Sequence, residues 1–262
     1  MKRSVKLIIS LIVRAGDIIR NGCLRLAGRK PRGTGVILYY HAVPAEDRES
    51  FARQMDVLVR LAKPVPADLP SPLEEGVHHC AVTFDDGFVS VLENALPELE
   101  RRRIPSTIFV PSGSLGGPPK WIKDATSPTA REVVLTTAQL AGLAGREGLT
   151  IASHSISHPN FLTLDESEAQ REFSESKSTL EQALGKPVTL FSFPHGKYNP
   201  SLIERAKAAG YSRVFTIAPE RIASGDSRFA IGRVAAEPTD SLLELRLKIL
   251  GAYRWMAKRQ RA

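Results

Sequence analysis

Through residues 33–245, short apolar runs rich in β-branched and aromatic side chains alternate with longer segments whose apolar positions recur every three or four residues. The short runs read as strands buried on both faces, the longer ones as helices packed against them. The pattern predicts strands at Val36–Tyr40, Ala81–Phe84, Ser106–Val110, Thr150–Ser153, Val188–Phe193, Ser212–Ile217 and Phe229–Val234. It predicts helices near 48–62, 88–103, 136–147, 165–184, 200–209 and 239–257. Asp165 is placed to cap a helix start, and Gly185 and Gly210 stand where helices should stop. Such alternation implies a parallel sheet, and about seven repeats imply a single α/β domain curled into a closed or nearly closed barrel. Residues 111–135 lack either period and read as a long irregular insertion, of the kind that forms a rim or lid.

The N-terminal pattern is different. Arg3, Ser10 and Asp17, with Arg14 and Asn21, recur at seven-residue intervals, and Lys6 and Arg25 fall near the same line. They form a narrow polar stripe on a helix otherwise carrying Val5, Leu7, Ile8, Leu11, Ile12, Ile18 and Ile19. Leu7–Val13 is too short a run to span a bilayer. Lys2-Arg3 precedes it as in a signal peptide, but no Ala-x-Ala site follows. A helix lying in a membrane interface, a cleaved signal and simple packing against the body are the three readings.

Charge changes this picture. The net charge is +8, and residues 1–32 carry nine Lys/Arg against Asp17 alone. Residues 246–262 carry six (Arg246, Lys248, Arg254, Lys258, Arg259 and Arg261) against no acid, which leaves the body between them at −6. A nucleic-acid binder should be basic on its folded body, so that class is disfavoured. Basic ends instead suit an anionic membrane surface, giving an expected organisation of a basic amphipathic segment (1–32), a folded domain (33–238) and a basic amphipathic C-terminal helix (239–262). Peripheral membrane association is the expected location, with a secreted or periplasmic protein as the alternative if residues 1–30 act as a signal. Leu242, Leu245, Ile249, Tyr253 and Trp255 give the last helix an interfacial composition. Cys23 and Cys80 form no motif and leave the redox compartment open.

The chemistry is concentrated in Thr83-Phe84-Asp85-Asp86-Gly87 and His154-Ser155-Ile156-Ser157-His158. Asp-Asp-Gly is good turn chemistry in its own right. Adjacent carboxylates point apart, however, so one can face a metal while the other accepts a proton. Two histidines four apart lie on one face of a helical turn, and with one carboxylate they make a three-ligand set that leaves positions open on a divalent ion. Ser155 and Ser157 are placed to bond these ligands. His78 and His79 precede the Cys80 strand at its N-terminal end and read as solvent-facing loop.

These two motifs resemble those of the polysaccharide deacetylases, the NodB-homology enzymes of carbohydrate esterase family 4, and the likeness runs from about Gly35 to Val234. The resemblance implies a distorted seven-stranded (β/α) barrel. It further implies that Asp86, His154 and His158 bind one divalent ion, Zn²⁺ with Co²⁺ or Ni²⁺ as alternatives, while Asp85 is the general base. The family's Arg-x-Pro-Tyr segment is replaced here by Ser192-Phe193-Pro194-His195-Gly196, and its late Leu-x-x-His motif is absent after Val234. Phe191 to Asn199 is similar instead to the branch that deacetylates poly-N-acetylglucosamine. In that branch a Tyr-His pair on the first strand supplies the general acid, and Tyr40-His41 matches it. His41 is then the acid, or else a histidine capping a strand end. Arg233 is placed to orient Asp85, and Pro194, His195, Tyr198 and Trp121 to bind or orient substrate.

The implied reaction is hydrolysis of an acetamide on an N-acetylglucosamine-type polysaccharide, oligosaccharide or lipid-linked glycan by a monomeric enzyme. Asp85 takes a proton from water, an amide near Pro194 meets the oxyanion, and His41 protonates the departing amine. An O-deacetylase of the same fold is the alternative, as is a non-catalytic sugar-binding relative, which would lack a ligand or the base. A metal phosphoesterase would carry a second ligand cluster, which the sequence lacks.

Overall fold

The computed structural model describes residues 2–69 and 72–257. The chain runs α1 (Arg3–Leu26), β1 (Thr34–Tyr40), α2 (Arg48–Leu61), β2 (Lys63–Pro64), β3 (His78–Phe84), α3 (Leu96–Arg101), β4 (Ser106–Val110), α4 (Thr137–Leu143) and β5 (Leu149–Ser153). It continues with α5 (Glu166–Leu184), β6 (Leu190–Ser192), α6 (Pro200–Ala208), β7 (Arg213–Thr216), β8 (Ile222–Ala223), β9 (Ala230–Gly232), β10 (Val234–Ala235) and α7 (Leu242–Ile249). A π-helical turn, Val91–Ala95, leads into α3.

The strands pair in the order β10-β1-β3-β4-β5-β6-β7-β9, all parallel, with β2 on β3 and the short β8 antiparallel on β1. The two ends of this path are consecutive in the chain. β9 pairs with β7 and β10 pairs with β1, and only Arg233 lies between them. The sheet therefore curls round on itself, with residues 230–235 as the closing stave. This is the distorted α/β barrel that the sequence pattern and the resemblance implied. β1, β3 and β4 are buried along almost their whole length, as their near-continuous apolar sequences require. One side-chain set (Ile37, Ala81, Phe109, Ala152, Phe215 and Ile231) fills the inside of the curl, and a larger set packs the strands against the helices.

The seam is built around a charge. Arg233 is fully buried, and it donates to Asp85 through both terminal nitrogens (2.7 and 2.8 Å), to Thr83 Oγ1 (3.1 Å), to Ser192 Oγ (2.7 Å) and to the Thr216 carbonyl (3.3 Å). These partners come from β3, β6, β7 and the turn after β3. Its guanidinium also lies 4.8 Å from the Tyr39 ring and 5.1 Å from the Phe109 ring. The predicted strand Phe229–Val234 is thus two short strands broken where this side chain turns inward.

Three expectations need correction. The helix predicted over 239–257 is shorter: α7 ends at Ile249, Gly251 turns the chain at φ +68°, and one further turn follows at Arg254–Met256. Leu245, Ile249 and Tyr253 are buried in the core rather than presented to an interface, while Lys258, Arg259 and Arg261 lie outside the described residues. His78 and His79 belong to β3, and neither is a solvent-facing loop residue. His79 is buried, and half-buried His78 bridges Thr34 Oγ1 and the Ile249 carbonyl, with burial the main cause pushing its pKa down to about 4.

The polar stripe of α1 faces the body. Asp17 is buried against Arg221 and Arg254, Ser10 accepts from Trp255 Nε1 (3.1 Å), and Arg3 donates to Glu244 (2.7 Å).

The seam makes a stability prediction. Arg233→Met leaves the Asp85 carboxylate buried without its counter-charge, which should cost about 3 kcal/mol or more. Urea melts should detect this, and adding Asp85→Asn to the same protein should recover part of the loss, because the orphaned charge is then gone.

Candidate active site

The chemical side chains lie past the C-terminal ends of neighbouring staves, where barrels of this class assemble their sites. His41 follows β1, Asp85 and Asp86 follow β3, His154 and His158 follow β5, and His195 follows β6. All six line one cavity of about 520 Å³, with Tyr39, Trp121, Phe193 and Glu237 among its other walls.

The turn after β3 makes its two carboxylates diverge. Asp86 adopts a left-handed backbone (φ +70°), followed by Gly87 at φ +61°. A Cβ on Gly87 would lie 3.0 Å from Val110 Cγ2, so both space and backbone require glycine there. Asp85 turns to Arg233. Burial alone would raise its pKa, but the Arg233 charge, then His154 and the Arg233 hydrogen bonds, hold it well below the usual carboxylate range. It is therefore ionised throughout the neutral range.

Asp86 turns the other way. Its Oδ1 lies 3.3 Å from His158 Nε2 and 3.7 Å from His154 Nε2. His154 Nδ1 donates to the Ser192 carbonyl (2.8 Å), which fixes the tautomer and leaves the Nε2 lone pair free. Burial is the main cause pushing the His154 pKa down to about 4, so the ring is neutral at pH 7. Asp86 Oδ1 is buried and accepts no hydrogen bond. An orphaned carboxylate oxygen facing two imidazole nitrogens, with all ligand atoms within 4.8 Å of one another, is the donor set a divalent ion needs. The residues fit the ion that the resemblance implied.

The route to this geometry corrects the helical-turn argument. Residues 154–160 form a loop, with Ser155 at φ +71° and His158 at φ +58°. Buried Glu172 on α5 holds the loop, accepting from the Ile156 and Ser157 amides (2.7 and 3.0 Å) and from Ser157 Oγ (2.6 Å). Ser155 Oγ accepts from the His158 amide (3.1 Å). The two serines thus do bond the ligand loop, but its anchor is a glutamate in the middle of an ordinary-looking helix.

Trp121, from the insertion at 111–135, stacks on His158 at 4.6 Å and 18° and forms part of the cavity rim. His195 stands at φ +56° in the turn after Pro194, with its ring edge-on to His158 at 4.7 Å. Its pKa is lowered by burial and by His158. Pro194 and Tyr198 are not brought to the cavity wall: Pro194 is buried and starts the turn, and Tyr198 stacks on Phe193 at 5.5 Å. Sequence reasoning missed Glu172, Ser192 and Glu237. Glu237 follows β10 on the cavity wall, and burial raises its pKa against the opposing charge of His41.

A larger cavity of about 780 Å³ lies by the N-terminal ends of β1 and β3. It is lined by many cations and by His78, with no carboxylate to complete a ligand set like that around Asp86.

A curled (β/α) barrel whose mouth carries this carboxylate and histidine set has the donors to hold a divalent ion, and comparison with known proteins gives the chain its family. The polysaccharide deacetylase family profile matches residues 74–214, more than half of the chain, and the chain belongs to that family. Bacillus subtilis (strain 168) YxkH, whose name places it among the polysaccharide deacetylases, is 27% identical over 157 residues, 60% of this chain and 51% of that protein. The poly-beta-1,6-N-acetyl-D-glucosamine N-deacetylase of Staphylococcus epidermidis is 24% identical over 156 residues, 58% of this chain and 53% of that protein. The chain thus spans about half the length of the curated relatives it matches. The structure of IcaB from Ammonifex degensii superposes with a TM-score of 0.67 at 24% identity, covering 86% of this chain and 98% of that one, a likeness of fold.

The donor set should take up one Zn²⁺ or Co²⁺ per chain. Free ion at about 100 times its Kd should stabilise the fold by about 2.7 kcal/mol, read as a rise in Tm. Asp86→Ala should abolish that rise, and Glu172→Gln should weaken uptake about tenfold or more by loosening the His158 loop.

Proposed function

We propose that this chain is a divalent-metal-dependent deacetylase that hydrolyses N-acetyl groups of N-acetylglucosamine-type glycans. The observation that carries the reading is the division of labour between adjacent carboxylates: Asp86 Oδ1 faces two histidines, while Asp85 is held by Arg233. A non-catalytic sugar-binding relative would have no use for that division.

The residues act as follows. Asp85 accepts the proton of the attacking water, using a lone pair left over from its two Arg233 bonds. Arg233 makes that carboxylate a weak base; Asp86, His154 and His158 would hold a divalent ion, which would supply the acidification of water and the polarisation of the acetamide carbonyl. Arg233 fixes both Asp85 oxygens, so the base meets the water in one orientation. His41 carries a proton across the same cavity to the departing amine, and Glu237 lines the cavity with it. Trp121, stacked on His158, excludes water from one side of the loop. His195, a neutral imidazole, offers a hydrogen bond to the sugar or its acetyl group. Support for N-acetylglucosamine as the sugar is the name of the Staphylococcus epidermidis relative.

Acetate release from N-acetylglucosamine oligomers, β-1,6- and β-1,4-linked, tests the reading. Activity should vanish on chelation and return with Zn²⁺ or Co²⁺. Asp85→Asn should lower turnover by a factor on the order of 10² or more, with the ion retained. Metal-loaded protein that releases no acetate from any such oligomer would refute it.

A further inference from the structure

The helix α1 packs Leu7 and Val13 against the core, but its fully buried side chains are polar and most of its apolar ones face outward. A surface helix normally buries its apolar stripe and leaves the polar one in water. Here the residues buried against the body are Ser10 and Asp17, whereas Val5, Ile8, Ile12, Ile19 and Leu26 are between 41% and 92% exposed, with Leu11 and Ile18 beside them. At 100° per residue these side chains share one continuous outward face, and Arg20 and Arg25 border it on opposite sides. An apolar strip of this length is more than the scattered exposure normal for a soluble surface.

The neighbourhood of the strip is cationic. The 780 Å³ cavity opens beside the second half of α1, and Arg14, Arg25, Arg29, Arg32, Arg221 and Arg254 line it without any carboxylate. Asp17, the one acid of residues 1–32, is spent on Arg221 and Arg254. No helix among the described residues is long and apolar enough to cross a membrane. A second copy meeting this face across a two-fold axis would bring arginine against arginine, which is unfavourable. An anionic lipid surface matches both features: acyl chains accept the isoleucines, and headgroup phosphates meet the arginines.

We propose that α1 docks the protein on an anionic membrane surface, its outward face in the acyl boundary and headgroup phosphates in the adjoining arginine-lined cavity. The inward polar stripe is then a fastening. Arg3 ties the first turn to Glu244 and Asp240, and Asp17 ties the middle to Arg221 and Arg254. Docking therefore immobilises the whole barrel rather than a loosely tethered arm. Arg3 is anchored near Asp240, three residues beyond Glu237 on the catalytic cavity, whereas the last turns of α1 border the opposite end. The barrel thus lies on its flank, and its catalytic mouth opens along the membrane plane.

The test is sedimentation of the full chain with vesicles of phosphatidylglycerol and phosphatidylcholine, or of phosphatidylcholine alone. Wild type should pellet with the anionic vesicles and be released by salt. Ile12→Asp/Ile19→Asp replaces exposed side chains, so it should keep the wild-type Tm and lose partition by about 30-fold or more. Arg25→Glu/Arg29→Glu should lose the preference for anionic lipid. Wild type that stays in solution, or an Ile12→Asp/Ile19→Asp variant that pellets like wild type, would overturn the proposal. So would a wild-type dimer, seen by ultracentrifugation, that the isoleucine changes dissociate without altering vesicle binding; that result would assign the face to a second copy.

Discussion

The pairing of Arg233 with Asp85 is the constraint on which the rest of the site depends. A fully buried guanidinium is tolerable only when its charge and donors are matched. Here one carboxylate answers the charge, while Thr83, Ser192 and Thr216 answer donors. Those acceptors belong to different staves, so satisfying one side chain fixes how β3, β6 and β7 meet at the closing stave. The same bonds leave Asp85 ionised and immobile. Closure of the fold and the fixing of Asp85 are a single interaction, made with a buried charge where apolar side chains would close the barrel at less cost.

From this anchor the candidate metal ligands follow through short covalent steps. Ser192 links the two halves of the site, its hydroxyl accepting from Arg233 and its carbonyl from His154. Asp86 is the residue after Asp85, turned away by its left-handed backbone. Asp86, Ser155, His158 and His195 all hold positive φ without being glycine. Strain of this kind persists only where surroundings over-determine it. Glu172 supplies that restraint for the His158 loop, and Trp121 stacks on the ring it presents.

What the sequence reveals and what it hides divide along physical lines. Strands such as β1 and β4 are legible because burial on both faces demands continuous apolar runs. α5 is legible because Asp165 and Glu168 form a reciprocal cap and Gly185 ends it at φ +63°. The metal set is legible because few residue types bind an ion. The break at Arg233 is not, since a strand interrupted by one inward side chain has the composition of an intact strand. The His154–His158 loop reads as a helical turn because spacing alone cannot separate i,i+4 on a helix from a loop clasped by a distant glutamate. Glu172 resembles any solvated helix charge until its partners are seen. An amphipathic pattern likewise says that α1 has two faces but not which one meets the body. The buried pairing of Asp17 with Arg221 and Arg254, more than 200 residues away, decides it.

The central claim is that neighbouring carboxylates hold separate offices, Asp85 on Arg233 and Asp86 on the ion. Anomalous diffraction from crystals soaked in Co²⁺ tests it directly. One peak is predicted, bounded by an Asp86 carboxylate oxygen and the Nε2 atoms of His154 and His158, with Asp85 still paired to Arg233. A peak coordinated by Asp85, or a peak elsewhere with none at Asp86, would contradict the account.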